Sequence, residues 1–303
     1  MGGTRQIVIE GNSGAELSII HKSGSYFVRK KSTNEATSHR LKIQAEKQKE
    51  ARKNLKLENI NIPLIDCCGK SDNGLFFFDM EYAQARDCIT FLQFCSKSQL
   101  EFFIEKIVGL IEQSIETSTP QLVDRGLFNS KLKQTYQRID KNDKYGKNIE
   151  KIYALIDAYL NNEQMCYTIP VGSCHGDLTL SNILVSEANK EIYLIDFLNC
   201  YLESPLQDIA KLRQDTYFFW SSLFYKQDYD QIRMLTVLKH LDEKIDAHFN
   251  KYPFYTQYYK LFQLLNMFRL LPYAKTVEVK RYVIECLFCL LGERDEFNYT
   301  SCW

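Results

Sequence analysis

Apolar and polar positions alternate with a period of two through the first part of the chain, the pattern of half-buried β-strands. Three short β-prone runs lie at 6–10, 16–20 and 26–30. Gly11, Asn12, Ser13 and Gly14 separate the first two, and Lys22, Ser23, Gly24 and Ser25 the next, which predicts a meander. Further strands are expected at 62–66 and 75–82, joined by the segment from Gly69 to Gly74, and the run 76–80 suits a strand covered on both faces. Between the meander and these strands, 38–57 reads as a helix dense in Lys, Arg, Glu and Gln. From Asp87 the period lengthens. A short apolar helix is expected at 88–95 and an amphipathic one at 98–117, where Leu100, Phe103, Ile104, Ile107, Val108 and Ile111 recur at three-to-four spacing. The stretch 119–146 is polar and turn-rich with a helix around 131–139, and another helix is expected at 148–160.

Two apolar segments then flank a polar turn. Ile183, Leu184 and Val185 precede Glu187–Lys190, and Ile192, Leu194 and Ile195 follow it, which predicts a hairpin. After the hairpin, Ser204 as N-cap, Pro205 at the first helical position and Gln207 three residues beyond the cap mark a helix start. The remainder reads as helices at 215–225, 228–249, 253–271 and 277–291, with no repeat at a fixed period.

Composition narrows the class without naming the chemistry. At 303 residues the chain suits one large domain or two lobes. Thirty-eight basic residues balance thirty-eight acidic ones, so no global field recruits nucleic acid or an acidic membrane. The basic helix at 38–57 lacks the aromatics that stack on bases, and it reads as a solvated face. The opening residues 1–6 lack the apolar run of a signal peptide, and no run reaches the roughly eighteen apolar residues of a membrane span, so a cytoplasmic protein is expected. Among ten cysteines, Cys67, Cys68, Cys174 and Cys200 are not at zinc spacing with histidines. Cys286 and Cys289 form a C-x-x-C inside an apolar helical pattern, where a free thiol packs as a small hydrophobe.

The hairpin carries the candidate chemistry. It brings Asp177, at the mouth of its first strand, close to Asp196, at the end of its second, with Asn182 where the loop enters the first strand. Two carboxylates and an amide suit phosphoryl transfer from a nucleoside triphosphate. Asn182 and Asp196 can supply oxygen ligands to Mg²⁺, and Asp177 can orient an attacking hydroxyl and accept its proton.

His175-Gly176-Asp177, Asn182 five residues after the aspartate, and Ile195-Asp196-Phe197 together resemble the aminoglycoside phosphotransferase and choline kinase family. The match is clear over 171–215. Gly176 stands where protein kinases carry Arg, and Leu198 where they carry the Gly of D-F-G, and both departures point away from protein kinases. The resemblance implies an α+β, two-lobed protein-kinase-like fold. Its small antiparallel nucleotide-binding lobe with one helix would span 1–83. A mainly helical lobe, with the catalytic hairpin 173–197 and the acceptor pocket, would span 84–303.

It further implies a basic residue on the third strand that meets the nucleotide phosphates and pairs with a helical Glu. Alignment selects Lys30, with Arg29 and Lys31 as neighbours that sequence does not exclude, and Glu46 in preference to Glu50 as its partner. Gly11 to Gly14 would be the phosphate-covering loop, and backbone groups of Glu81 and Ala83 the adenine contacts. His175 and Asp208 would brace the catalytic loop. The implied activity is transfer of a γ-phosphoryl group from ATP, with GTP as an alternative, to a hydroxyl of a sugar or polyol, an amino alcohol or an aminoglycoside-like molecule, with Mg²⁺ as cofactor. A protein-directed kinase and a nucleotide-binding regulator without catalysis are the competing readings. The first is opposed by Gly176 and the short segment from Asp196 to Ser204, the second by intact Asp177, Asn182 and Asp196.

Overall fold

The structure, a computed structural model, describes residues 7–9, 14–162, 165–225 and 228–293. In chain order the strands are β1 (Ile7–Ile9), β2 (Ala15–Lys22), β3 (Ser25–Ser32), β4 (Ile60–Asn61), β5 (Ile65–Lys70), β6 (Phe76–Glu81), β7 (Arg86–Asp87), β8 (Thr119–Asp124), β9 (Cys166–Val171), β10 (Ile183–Ser186) and β11 (Glu191–Leu194). The α-helices are α1 (Glu35–Asn54), α2 (Cys88–Phe94), α3 (Lys97–Glu116), α4 (Arg125–Gln137), α5 (Gly146–Asn162), α6 (Pro205–Thr216), α7 (Gln231–Phe249), α8 (Pro253–Phe268) and α9 (Val277–Leu291). The architecture is a mixed α and β one, with an antiparallel sheet of N-terminal strands and a mainly helical C-terminal part. Contacts divide the chain into two compact units.

The first unit takes in residues 1–110, 175–200 and 225–237. Its larger sheet has the order β1-β2-β3-β6-β5, antiparallel throughout. α1 starts where the Asn34 side chain accepts from Thr37 N–H at 2.9 Å. The helix then turns Leu41, Gln44, Ala45 and Gln48 inward. Leu41 and Ala45 share a core with Ala15, Ile65, Phe78 and Met80. The expected solvated helix therefore keeps a narrow apolar stripe against the sheet. The smaller sheet, β4-β11-β10-β7, holds the predicted hairpin at its centre. Its flanking strands β4 and β7, two residues each, were not anticipated, because strands that short leave no periodic signal.

The second unit takes in 111–174, 201–224 and 238–303. Every residue of α6 is buried, and the helix begins as the sequence predicts, with Ser204 Oγ accepting from Leu206 N–H and Pro205 in the first turn. Cys286 is fully buried on α9, in keeping with the core role expected of it. Two expectations fail here. The stretch read as polar loop from 119 opens with β8, paired antiparallel with β9, and α4 begins earlier than the expected helix. No helix spans 215–225. α6 ends at Thr216, Phe219 takes a left-handed φ of 56°, and a short 3-10 turn follows at Ser221–Phe224. Asp215 explains the break, since its carboxylate accepts from Ser221 N–H at 2.7 Å and Ser221 Oγ at 2.8 Å. Among the described residues no helix is long and apolar enough to cross a membrane.

Candidate active site

The site is built within the first unit. The hairpin register pairs Ile183 with Leu194, and one step further Ile195 N–H donates to Asn182 O at 3.0 Å. Asp196, the next residue, is thereby set beside Asn182. The Asn182 amide nitrogen donates to Asp177 O at 2.8 Å and to Asp177 Oδ2 at 3.1 Å. Thr179 N–H also meets Asp177 O, at 2.7 Å. Asp177 is half-buried, so its carboxylate is oriented by Asn182 while keeping access to solvent.

His175 holds the two halves of the loop together. Its Nε2–H donates to Ile195 O at 2.9 Å, and its Nδ1 accepts from Asp177 N–H at 3.2 Å. Those partners require the neutral Nε2–H tautomer. Burial pushes the imidazole pKa down to about 4, which keeps the ring in that form at neutral pH. Phe197 is buried against the same ring, with centroids 4.2 Å apart. Leu198 N–H donates to His175 O at 3.0 Å. This close approach requires glycine at 176, which has φ 86°. A Cβ there would be driven into the Leu198 carbonyl oxygen and would lie 2.7 Å from Cys200 Sγ.

The basic residues of β3 separate by face. Lys30 is 2% exposed and forms an ion pair with Asp196. Arg29 turns the other way, to Asp79 at 2.7 and 3.0 Å, and Lys31 pairs with Glu16 at 3.8 Å. Glu46 is not brought to Lys30. It is exposed, and among the described residues the ion pair of Lys30 is with Asp196. The inward positions of α1 carry no acid at all, which is the physical reason the expected strand–helix pair is absent. Its neighbour Lys47 instead donates from Nζ to Leu198 O at 2.6 Å. Sequence reasoning missed Lys47, since one lysine among many on a polar helix carries no signal of its direction.

The donor set fits Mg²⁺. With its nitrogen committed to Asp177, Asn182 has Oδ1 left to offer, and Asp196 has the carboxylate oxygen not paired with Lys30. One charged and one neutral hard oxygen suit that ion, which keeps several waters and phosphate oxygens of its own.

Of the remaining predicted residues, Glu81 ends β6. Its N–H is taken by Leu64 O at 2.9 Å and its side chain accepts from Leu64 N–H at 2.9 Å, so its carbonyl is the group left to offer. Ala83 O accepts from Ala85 N–H at 2.9 Å. Tyr82 and Gln84, on either side of Ala83, line an open cavity of about 640 Å³ with Tyr26, Arg86 and Glu187; Lys30, Asp177, Asn182 and Asp196 do not line it. Gly14 has φ 71° and its carbonyl accepts from Thr33 Oγ1 at 3.0 Å. Gly11 lies outside the described residues. Asp208 is buried in the first turn of α6, in the second unit.

A family model described as "Phosphotransferase enzyme family" matches residues 6–233. Solved structures of similar fold include an apo thermostable mutant of the aminoglycoside phosphotransferase APH(4)-Ia, 10% identical with TM-score 0.66, covering 95% of this chain and 94% of that one. Another is the GDP and kanamycin complex of APH(2")-IIIa, 12% identical with TM-score 0.60, covering 96% and 94%. A third is a putative aminoglycoside phosphotransferase from Ralstonia eutropha JMP134, 13% identical with TM-score 0.59, covering 98% and 94%. At such identities the likeness is one of fold. No curated protein matches the chain by sequence.

Proposed function

The chain belongs to the phosphotransferase enzyme family, and from that premise we propose that it transfers the γ-phosphoryl group of a nucleoside triphosphate to a hydroxyl of a small molecule. The observation that carries this reading is the gathering of Asp177, Asn182, Asp196 and Lys30 by one hairpin and one strand. Asp177 orients the acceptor hydroxyl and takes its proton. The acceptor oxygen forms the new P–O bond as the bond to the β-phosphate breaks, and the nucleoside diphosphate leaves. Lys30 would face the phosphates, and Asn182 and Asp196 would hold Mg²⁺, which when bound would neutralise charge on the phosphoryl oxygens. The Glu81 carbonyl and the Ala83 N–H are the backbone groups offered to the nucleotide base. His175 keeps the loop closed. By role, 1–83 is the part proposed to bind the nucleotide and 84–303 the part proposed to carry the hairpin and the acceptor pocket, whereas by contacts the hairpin groups with 1–110.

Relatives of the same fold support a small acceptor and either purine nucleotide. One APH(4)-Ia variant was solved with AMP-PNP and hygromycin B, and APH(2")-IIIa with GDP and kanamycin. Within that range we favour a sugar or related polyol, because a chain of zero net charge offers no acidic field for a polycationic antibiotic. The test is nucleoside diphosphate release from ATP and from GTP across a panel of sugars, amino alcohols and aminoglycosides. Acceptor-dependent release that disappears in Asp177→Asn is expected. Release that no acceptor stimulates, or that Asp177→Asn leaves intact, would overturn the proposal.

A further inference from the structure

Lys30 on β3 and Lys47 on α1 reach the same short segment. Lys30 pairs with the Asp196 carboxylate, and Lys47 Nζ donates to Leu198 O at 2.6 Å, across 151 residues of sequence. Asp196, where the first contact falls, is itself in the left-handed region at φ 64°. A non-glycine residue persists there only when its surroundings over-determine it. On the hairpin side the determinants are Ile195 N–H to Asn182 O and His175 to Ile195 O. Beyond Asp196, the Leu198 peptide is gripped at both ends, its N–H by His175 O and its carbonyl by Lys47. Lys47 ties this segment to α1, and an ammonium on a carbonyl makes a stronger bond than a neutral donor.

We infer that Lys47 is a positioning residue, which fixes the turn at Asp196 so that the free carboxylate oxygen faces the divalent cation, and which thereby links the placement of α1 to metal binding. α1 thus reaches the site through a base that grips the metal-ligand turn, where an acid paired with Lys30 was expected. The inference rests on the reading of Asp196 as a cation ligand. Residues that orient a ligand in this way change metal affinity when removed, while leaving the ligand itself in place.

The experiment measures ATP affinity by calorimetry with and without Mg²⁺ on the full chain, and takes the ratio of the two. In Lys47→Met the ratio should fall by about 10–100-fold, with Mg²⁺-free affinity and melting temperature close to wild type. Lys47→Arg, which keeps the charge and the reach, should restore most of it, and Lys53→Met, an exposed lysine on the same helix, should change nothing. In the ligand-free protein, hydrogen exchange at the Leu198 amide should quicken in Lys47→Met and return in Lys47→Arg. A wild-type ratio and wild-type exchange in Lys47→Met would overturn the inference. Should Lys47→Met fail to fold, Lys47→Gln carries the same measurements, and a wild-type ratio there has the same force. Asp196→Asn serves as the reference. If it too leaves the ratio unchanged, the metal assignment is what has failed. If it lowers the ratio and the Lys47 variants do not, only the positioning role has.

Discussion

The backbone of Gly176 is pressed against the carbonyl of Leu198, the residue two beyond Asp196. The contact joins the loop carrying Asp177 to the turn carrying Asp196, and Leu198 N–H to His175 O closes it from the other side. Gly176→Ala would meet both a steric clash and a positive φ. It should destabilise the protein by at least about 2 kcal/mol in urea unfolding. An unfolding free energy within about 0.5 kcal/mol of wild type would show that the loop relaxes freely.

Asp177 is the residue whose change should separate chemistry from binding. Asp177→Asn keeps the shape of the side chain but removes the proton acceptor. Turnover should fall by roughly 10²–10⁴, while calorimetric binding of ATP with Mg²⁺ stays near wild type. A parallel loss of binding would assign Asp177 to the nucleotide rather than to the acceptor.

The hairpin and the approach of Asn182 to Asp177 were legible in the sequence, because these residues lie within about twenty positions of one another and need only strand, turn and strand to converge. The start of α6 was legible for a similar reason, since Ser204 and Pro205 act through local backbone groups. What escaped depends on contacts between distant segments. β8 is mostly exposed and polar, and only pairing with β9, some forty residues on, makes it a strand. Glu46 was preferred over Glu50 by spacing, yet helix rotation decides which side chain points inward, and it is Lys47 that reaches the Asp196 turn. At 215–225 the aromatic run looked helical, but Asp215 turns its carboxylate on Ser221 and the helix stops. That is the competition between side-chain and backbone acceptors that makes Asp a poor helix interior residue.

Lys30 and Asp196 should be energetically coupled even without ligand. Lys30 is 2% exposed and Asp196 about a quarter exposed, so removing either leaves a charge poorly solvated. A double-mutant cycle with Lys30→Met and Asp196→Asn should give a coupling of about 1–3 kcal/mol in unfolding free energy. Additive single effects would mean that the pair contributes nothing in solution.

His175 gives the protein a pH dependence of known sign. Its imidazole titrates near 4 when folded, against 6.5 for the exposed ring. Below 6.5 the unfolded chain takes up a proton that the folded chain refuses, so stability is lost as pH falls from 6.5 and the loss levels off near 4. The full effect is about 3 kcal/mol. Urea unfolding between pH 7.5 and 4 should show this slope in wild type and lose most of it in His175→Gln. Equal slopes in the two proteins would place the titration elsewhere.

The second unit has its own buried charge. Arg213 on α6 meets Asp242 on α7 at 2.9 and 2.7 Å through two nitrogens, reaches Tyr255 OH at 2.5 Å, and pairs with Asp246 as well. Asp242, 7% exposed, has Thr216 Oγ1 at 2.7 Å as a further donor. Arg213→Met would strand that carboxylate with one hydroxyl in place of a bidentate guanidinium. The cost should be about 3–5 kcal/mol, because breaking one half of a buried pair leaves the other uncompensated. Replacing both partners, as Arg213→Met with Asp242→Leu, should recover a large part of the loss, since a well-packed apolar pair carries no such penalty. Unfolding of the single and double variants in urea decides it. A single variant costing under about 1 kcal/mol would show that water reaches Asp242 and that α6 is held by its apolar contacts alone.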